Sequence, residues 1–168
     1  MRSWKKDLAE KLKNARKIAI LGIGNLDLCD DAAGAIVAER IQKIIGGKNN
    51  AYIAVFPCYE APENFTSPVK KEKPTHIVMV DSCLSGRKPG SIFLLMPDEI
   101  KNVDVSSHKL PLYLLSDYLK NETGAEIIII GIEPELLCKG NFLSKPVESA
   151  VNEISDWFSE FFKKSFQV

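Results

Sequence analysis

Apolar and polar residues follow one another along this chain in two rhythms, and the switches between them set out an alternating β–α order. Five short runs are apolar almost throughout: "KIAILGI" (17–23), "AYIAVFP" (51–57), "THIVMVDS" (75–82), "SIFLLM" (91–96) and "AEIIIIGI" (125–132). Runs of that length with few polar interruptions are expected for strands covered on both faces. Between them the apolar positions return every three or four residues. "DAAGAIVAERIQKII" from Asp31 stops at the Gly46-Gly47 pair, "SHKLPLYLLSDYLKNETG" (107–124) opens on a serine and closes on a glycine, and a last helix starts near Lys145-Pro146. Serine suits the start of a helix and glycine its end, with Pro111 expected inside the first turn, where proline is tolerated. Residues 3–15 read as an amphipathic lead-in helix with Trp4, Leu8 and Leu12 at helical spacing, and 59–74, with three prolines, as a loop holding a short helix.

This alternation predicts one α/β domain over residues 1–168, with 1–16 as the lead-in. Its architecture is three-layer α/β/α, a mostly parallel, five-stranded twisted sheet with helices on both faces. The "SGRKPG" turn (85–90) is short for a parallel crossover, so the 91–96 strand is expected to run antiparallel to its neighbour.

Composition narrows the function. Lys+Arg and Asp+Glu stand at 22 each, which gives no electrostatic pull towards nucleic acid or an anionic membrane. No apolar stretch approaches the roughly 20 residues that span a bilayer. The first residues, "MRSWKKDLAEKLKNARK", are charged and helical rather than signal-peptide-like, so a cytoplasmic location is expected; the protein is also expected to be a monomer. Cys29, Cys58, Cys83 and Cys138 include no C-x-x-C pair and read as small buried hydrophobes.

In an open α/β sheet, sites form beyond the carboxyl ends of the strands. The titratable residues placed there are Asp30 and Asp31 after the first strand, Glu60 and Glu63 after the second, Asp81 closing the third, Glu133 after the fifth, and His108 before the helix that leads to the fifth. A dinucleotide is a poor occupant, because G-x-G-x-x-G needs a third glycine where Asp27 stands, and Asp30 and Asp31 would repel a phosphate. A cation accounts for the charge. Asp31, Asp81 and His108 offer two oxygens and one imidazole nitrogen, leaving positions open on a divalent ion, and zinc, nickel or iron would suit the mixture. Asp30 reads as a helix cap. No G-x-S-x-G elbow occurs, and His76 begins a strand that looks buried, so the chain offers no convincing Ser/His/Asp or Cys/His set.

Five stretches, "GIGNLDLCDDAAG" (22–34), "EAPEN" (60–64), "VDSCLSGRKPGSI" (80–92), "SSHKLPLYLL" (106–115) and "GIEPELL" (131–137), followed by "KPVESAV", together resemble the [NiFe]-hydrogenase maturation endopeptidases. They resemble most the members that process the large subunit of formate-hydrogenlyase-type hydrogenases. The resemblance implies an aspartyl-type endopeptidase activity that removes a C-terminal extension from the nickel-loaded large-subunit precursor. It also implies that Asp31, Asp81 and His108 contact nickel carried in by that substrate, with zinc or cadmium as surrogates. "YEAPENF" and the 134–144 loop are the expected groove walls. Many relatives have a glycine after the first-motif acid; here Ala32 follows Asp31, harmless if that position is helical. The rival readings are a non-enzymatic nickel-binding accessory protein, for which two histidines are few, and a nucleotide-binding module.

Overall fold

The computed structural model of the protein describes residues 3–95 and 111–166, together with the backbone of 104–105. Its main sheet has the order β2-β1-β3-β6-β4, with β1 Ile18–Ile23, β2 Ile53–Tyr59, β3 His76–Leu84, β4 Ile92–Leu95 and β6 Glu126–Ile132. The pairs β1–β2, β1–β3 and β3–β6 are parallel, while β4 runs antiparallel to β6 from Ile92 opposite Ile132. The short 85–90 turn therefore does what its length requires. A two-residue strand, β5 (Asp104–Val105), pairs antiparallel with the end of β3 and was not foreseen.

Strand residues alternate between the two layers, as the pleat demands. Ile18, Ile20, Val78, Val80, Ile128 and Ile130 pack beneath α1 (Trp4–Lys11), α2 (Ala33–Ile44) and α5 (Lys145–Phe166). Ala19, Leu21, Ile77, Met79, Ile127 and Ile129 face the opposite layer with α3 (Thr66–Lys71) and α4 (Leu112–Thr123). Burying one such side chain contributes roughly 2 kcal/mol, so neither layer is dispensable.

The lead-in helix is a packing element. Leu8 and Leu12 are buried in the first layer, and Trp4 lies 5.9 Å from Trp157 of α5, its indole N–H donating to Glu153 at 3.3 Å. Two helix starts differ from expectation. Pro111 takes the N-cap of α4 with an extended ψ of 131°, just outside the helix, where its missing N–H costs nothing; the serine expected to cap this helix, Ser107, lies outside the described residues. Upstream of α2 the chain first makes a 3-10 turn, Cys29–Ala32. Ala32 is helical at φ −67°, so alanine carries no strain there.

Candidate active site

Two glycines bring the start of α2 onto the sheet. A Cβ on Gly34 would stand 2.1 Å from the carbonyl oxygen of Val80 and 2.4 Å from that of Ile23. A Cβ on Gly22 would meet the Gly34 carbonyl oxygen at 2.2 Å. Only bare backbone allows this approach. Gly34 thus rests over the end of β1 and over Val80 of β3, and the 3-10 turn carrying Asp31 touches β3, whose next residue after Val80 is Asp81, three residues before the strand's end rather than closing it as expected. Acids 50 positions apart in the chain reach one rim of the sheet by this contact.

Both acids are buried, Asp31 at 4% exposure and Asp81 at 0%. One oxygen of Asp31 accepts the backbone N–H of Asn25 at 2.9 Å; the other has no hydrogen-bond partner among the described residues. Asp81 accepts its neighbour Ser82's N–H at 2.8 Å. Asn25 was missed by the sequence reading and is the hub of the first loop. Besides serving Asp31, its side-chain amide donates to Glu60 at 2.7 Å, and its carbonyl accepts from the Asp27 N–H at 2.9 Å. Gly24, at φ +146°, lets the chain turn beneath, since a Cβ there would stand 1.9 Å from the Asp31 carbonyl oxygen. Glu63 faces a cavity of about 310 Å³ with Thr66, Leu114, Leu115 and Tyr118, between the 59–74 segment and α4. The remaining member of the expected ligand set, His108, lies outside the described residues, and among the described ones no three His, Cys, Asp or Glu side chains converge on a metal-sized space.

Three expectations need correction. Asp30 is not the cap of its own helix. Wholly buried, it accepts the backbone N–H groups of Glu135, Leu136 and Ser144 and the Ser144 hydroxyl at 2.7–2.9 Å, which fastens the loop before α5. Glu133 does not open onto the site either: its carboxylate takes the N–H groups of Ser85 and Gly86 and organises the β3–β4 turn. Finally, Cys29 and Cys138 are not separate hydrophobes but a disulfide across 109 residues. Cys58 and Cys83 are buried and free, as expected. His76 begins β3, at the opposite end of the sheet from Asp81, and burial lowers its imidazole pKa.

The hydrogenase maturation protease profile matches residues 36–158, a span that includes Asp81 and His108 and begins just after the first motif. The hydrogenase 3 maturation protease of Escherichia coli K12 is 31% identical over 136 residues, covering 80% of this chain and 84% of its own. This chain belongs to the hydrogenase maturation protease family. A Methanocaldococcus jannaschii chain assigned to the same family is 38% identical over 138 residues, 79% of this chain and 81% of its own. The crystal structure of the [NiFe] hydrogenase maturation protease HycI from Thermococcus kodakarensis superposes with a TM-score of 0.84 at 28% identity, over 94% of this chain and 99% of that one.

The protein is therefore a peptidase, and its described cysteines make poor nucleophiles. Burial, reinforced by Glu63, pushes the Cys58 thiol far up, and burial with Asp81 and Glu133 nearby does the same to Cys83. Both stay protonated at neutral pH, where only the thiolate attacks. At or beyond the carboxyl ends of the parallel strands the protease carries exposed apolar side chains: Leu26, Tyr59, Leu84, Leu136, Leu137 and Phe142 are each at least 38% exposed. No helix among the described residues is long and apolar enough to cross a membrane.

Proposed function

We propose that this protease removes a C-terminal extension from the nickel-loaded large-subunit precursor of a [NiFe] hydrogenase, with Asp31, Asp81 and His108 contacting nickel that the precursor brings. The observation that carries this reading is the pair of buried carboxylates at one rim, with an oxygen of Asp31 left without a hydrogen bond among the described residues. A buried carboxylate with an oxygen left over, beside a second buried acid at the same rim, suits a cation. The apolar rim supports a protein substrate, because exposed apolar side chains gathered at one edge mark a docking surface.

Nickel is part of the substrate here, and it supplies Lewis-acid polarisation of the scissile carbonyl or of a water. The protein's own residues bind and orient. Asn25 holds the Asp31 carboxylate through one oxygen, leaving the other to face the incoming ion. Asp81, set within the buried strand β3 three residues before its end, presents the second carboxylate, and either acid is placed to accept a proton from the attacking water. "YEAPENF" and the 134–144 loop form the walls that seat the precursor's tail. A nickel-storing accessory role is disfavoured by membership of a protease family. Incubating purified nickel-loaded precursor with wild type and with Asp81→Asn tests the assignment. Wild type is expected to shorten the precursor and the variant to leave it intact while keeping a wild-type circular dichroism spectrum. Full activity in the variant would remove Asp81 from the site.

A further inference from the structure

Asp30 sits next to Asp31 but faces away from the proposed metal position, into the loop that follows β6. One of its oxygens accepts the Ser144 N–H at 2.7 Å, and the other takes the Glu135 and Leu136 N–H groups and the Ser144 hydroxyl at 2.8–2.9 Å. Backbone bonds continue the seam. The Cys29 N–H donates to the Gly140 carbonyl at 2.7 Å, the Gly140 N–H to the Asp27 carbonyl at 2.8 Å, and the Asp30 N–H to the Leu136 carbonyl at 3.2 Å. The Cys29–Cys138 disulfide crosses the same seam. A loop carrying three exposed apolar side chains, Leu136, Leu137 and Phe142, is thus tied at both ends and in the middle to Asp27, Cys29 and Asp30, the residues leading up to Asp31.

A carboxylate with four donors and no exposure is far more than a surface loop needs for stability alone. We propose that Asp30 is a positioning residue for peptide-bond cleavage: it fixes the 135–144 wall in register with Asp31, and the Cys29–Cys138 disulfide is a second, parallel tether of the same wall. The inference rests on the precursor-processing reading above. Each tether alone holds the loop, so the two substitute for one another. Removing one leaves the docking wall in place; removing both frees Leu136, Leu137 and Phe142 from their register with the catalytic rim.

The test measures kcat and KM on nickel-loaded precursor for wild type, Asp30→Asn, Cys138→Ser and the double variant. Asparagine keeps one acceptor but puts an amide N–H₂ against donors. Each single change is expected to raise KM about 3-fold and the double change about 30-fold or more, beyond the roughly 10-fold product of independent effects, with kcat within about 3-fold of wild type. Trypsin is expected to cut after Lys139 readily in the double variant and slowly in wild type. Should Asp30→Asn fail to fold, Ser144→Ala with Cys138→Ser replaces it, removing one donor and leaving the carboxylate. A purely structural role would lower kcat through lost active enzyme at unchanged KM, and that result overturns the assignment, as does independent multiplication of the two effects. Wild type that leaves the precursor uncut overturns the processing reading itself; wild type that cuts, beside a double variant of unchanged KM, overturns the role of Asp30 alone.

Discussion

Gly34 lies so close to Val80 that a methyl group on it would stand 2.1 Å from the Val80 carbonyl oxygen. This contact sets Asp31, three residues upstream, beside Asp81, one residue downstream, and it leaves no room for any side chain. Gly34→Ala is expected to lower the unfolding free energy by about 2–4 kcal/mol and to abolish processing in whatever fraction stays folded. Urea denaturation beside a cleavage assay checks both.

Asp31 and Asp30 are expected to part company on mutation. Asp31→Asn keeps an acceptor for the Asn25 N–H, its one hydrogen-bond partner among the described residues, and removes a buried charge, so stability should stay within about 1 kcal/mol of wild type. Activity should fall by about 100-fold or more, the scale of a lost acid–base or ligand group. Asp30→Asn, which strands several donors, should cost more in stability than Asp31→Asn. Thermal melts of the two variants, read side by side, decide.

His76 gives the protein an acid-sensitive spot remote from the site. Burial pulls its pKa down, and Glu126 at 3.5 Å restores only part of the loss. The folded state therefore binds this proton more weakly than the unfolded chain does. Stability is fully present above the ordinary imidazole value near 6.5 and declines as pH falls below it towards the lowered folded value. Urea midpoints between about pH 5 and pH 7 should rise with pH in wild type, and His76→Gln should flatten that slope.

Thiol counting distinguishes the two pairs of cysteines. Without reductant, the folded protein at neutral pH should react with iodoacetamide slowly, since burial keeps Cys58 and Cys83 protonated. Unfolding without reductant should expose those two thiols, and reduction should add Cys29 and Cys138. Intact-mass spectrometry reads each step; four alkylations before reduction would refute the disulfide.

The fold was legible because buried parallel strands advertise themselves as unbroken apolar runs, and because a six-residue turn such as 85–90 cannot carry a parallel crossover. The two-residue β5 was not, since its pairing depends on the end of β3 rather than on any pattern of its own. Asp31 and Asp81 were singled out through their expected places at the carboxyl ends of strands and through motif likeness, although Asp81 lies inside β3. Asp30 was misread because its partners lie 105–114 residues further on, and only the closed fold brings Glu135, Leu136 and Ser144 to it. Cys29 and Cys138 escaped for the same reason: spacing in sequence carries no record of contacts made by tertiary closure. Asn25 had a faint signal, an asparagine directly after a glycine in the first loop, which suits a side chain that bonds nearby backbone.

The central claim is that the aspartate pair reads a metal which only the mature substrate carries. It is tested most directly by offering the purified protease equal amounts of nickel-loaded and nickel-free large-subunit precursor and following the mass of each with time. Loss of the C-terminal peptide from the loaded form alone is the expected result. Equal cleavage of both forms would contradict it.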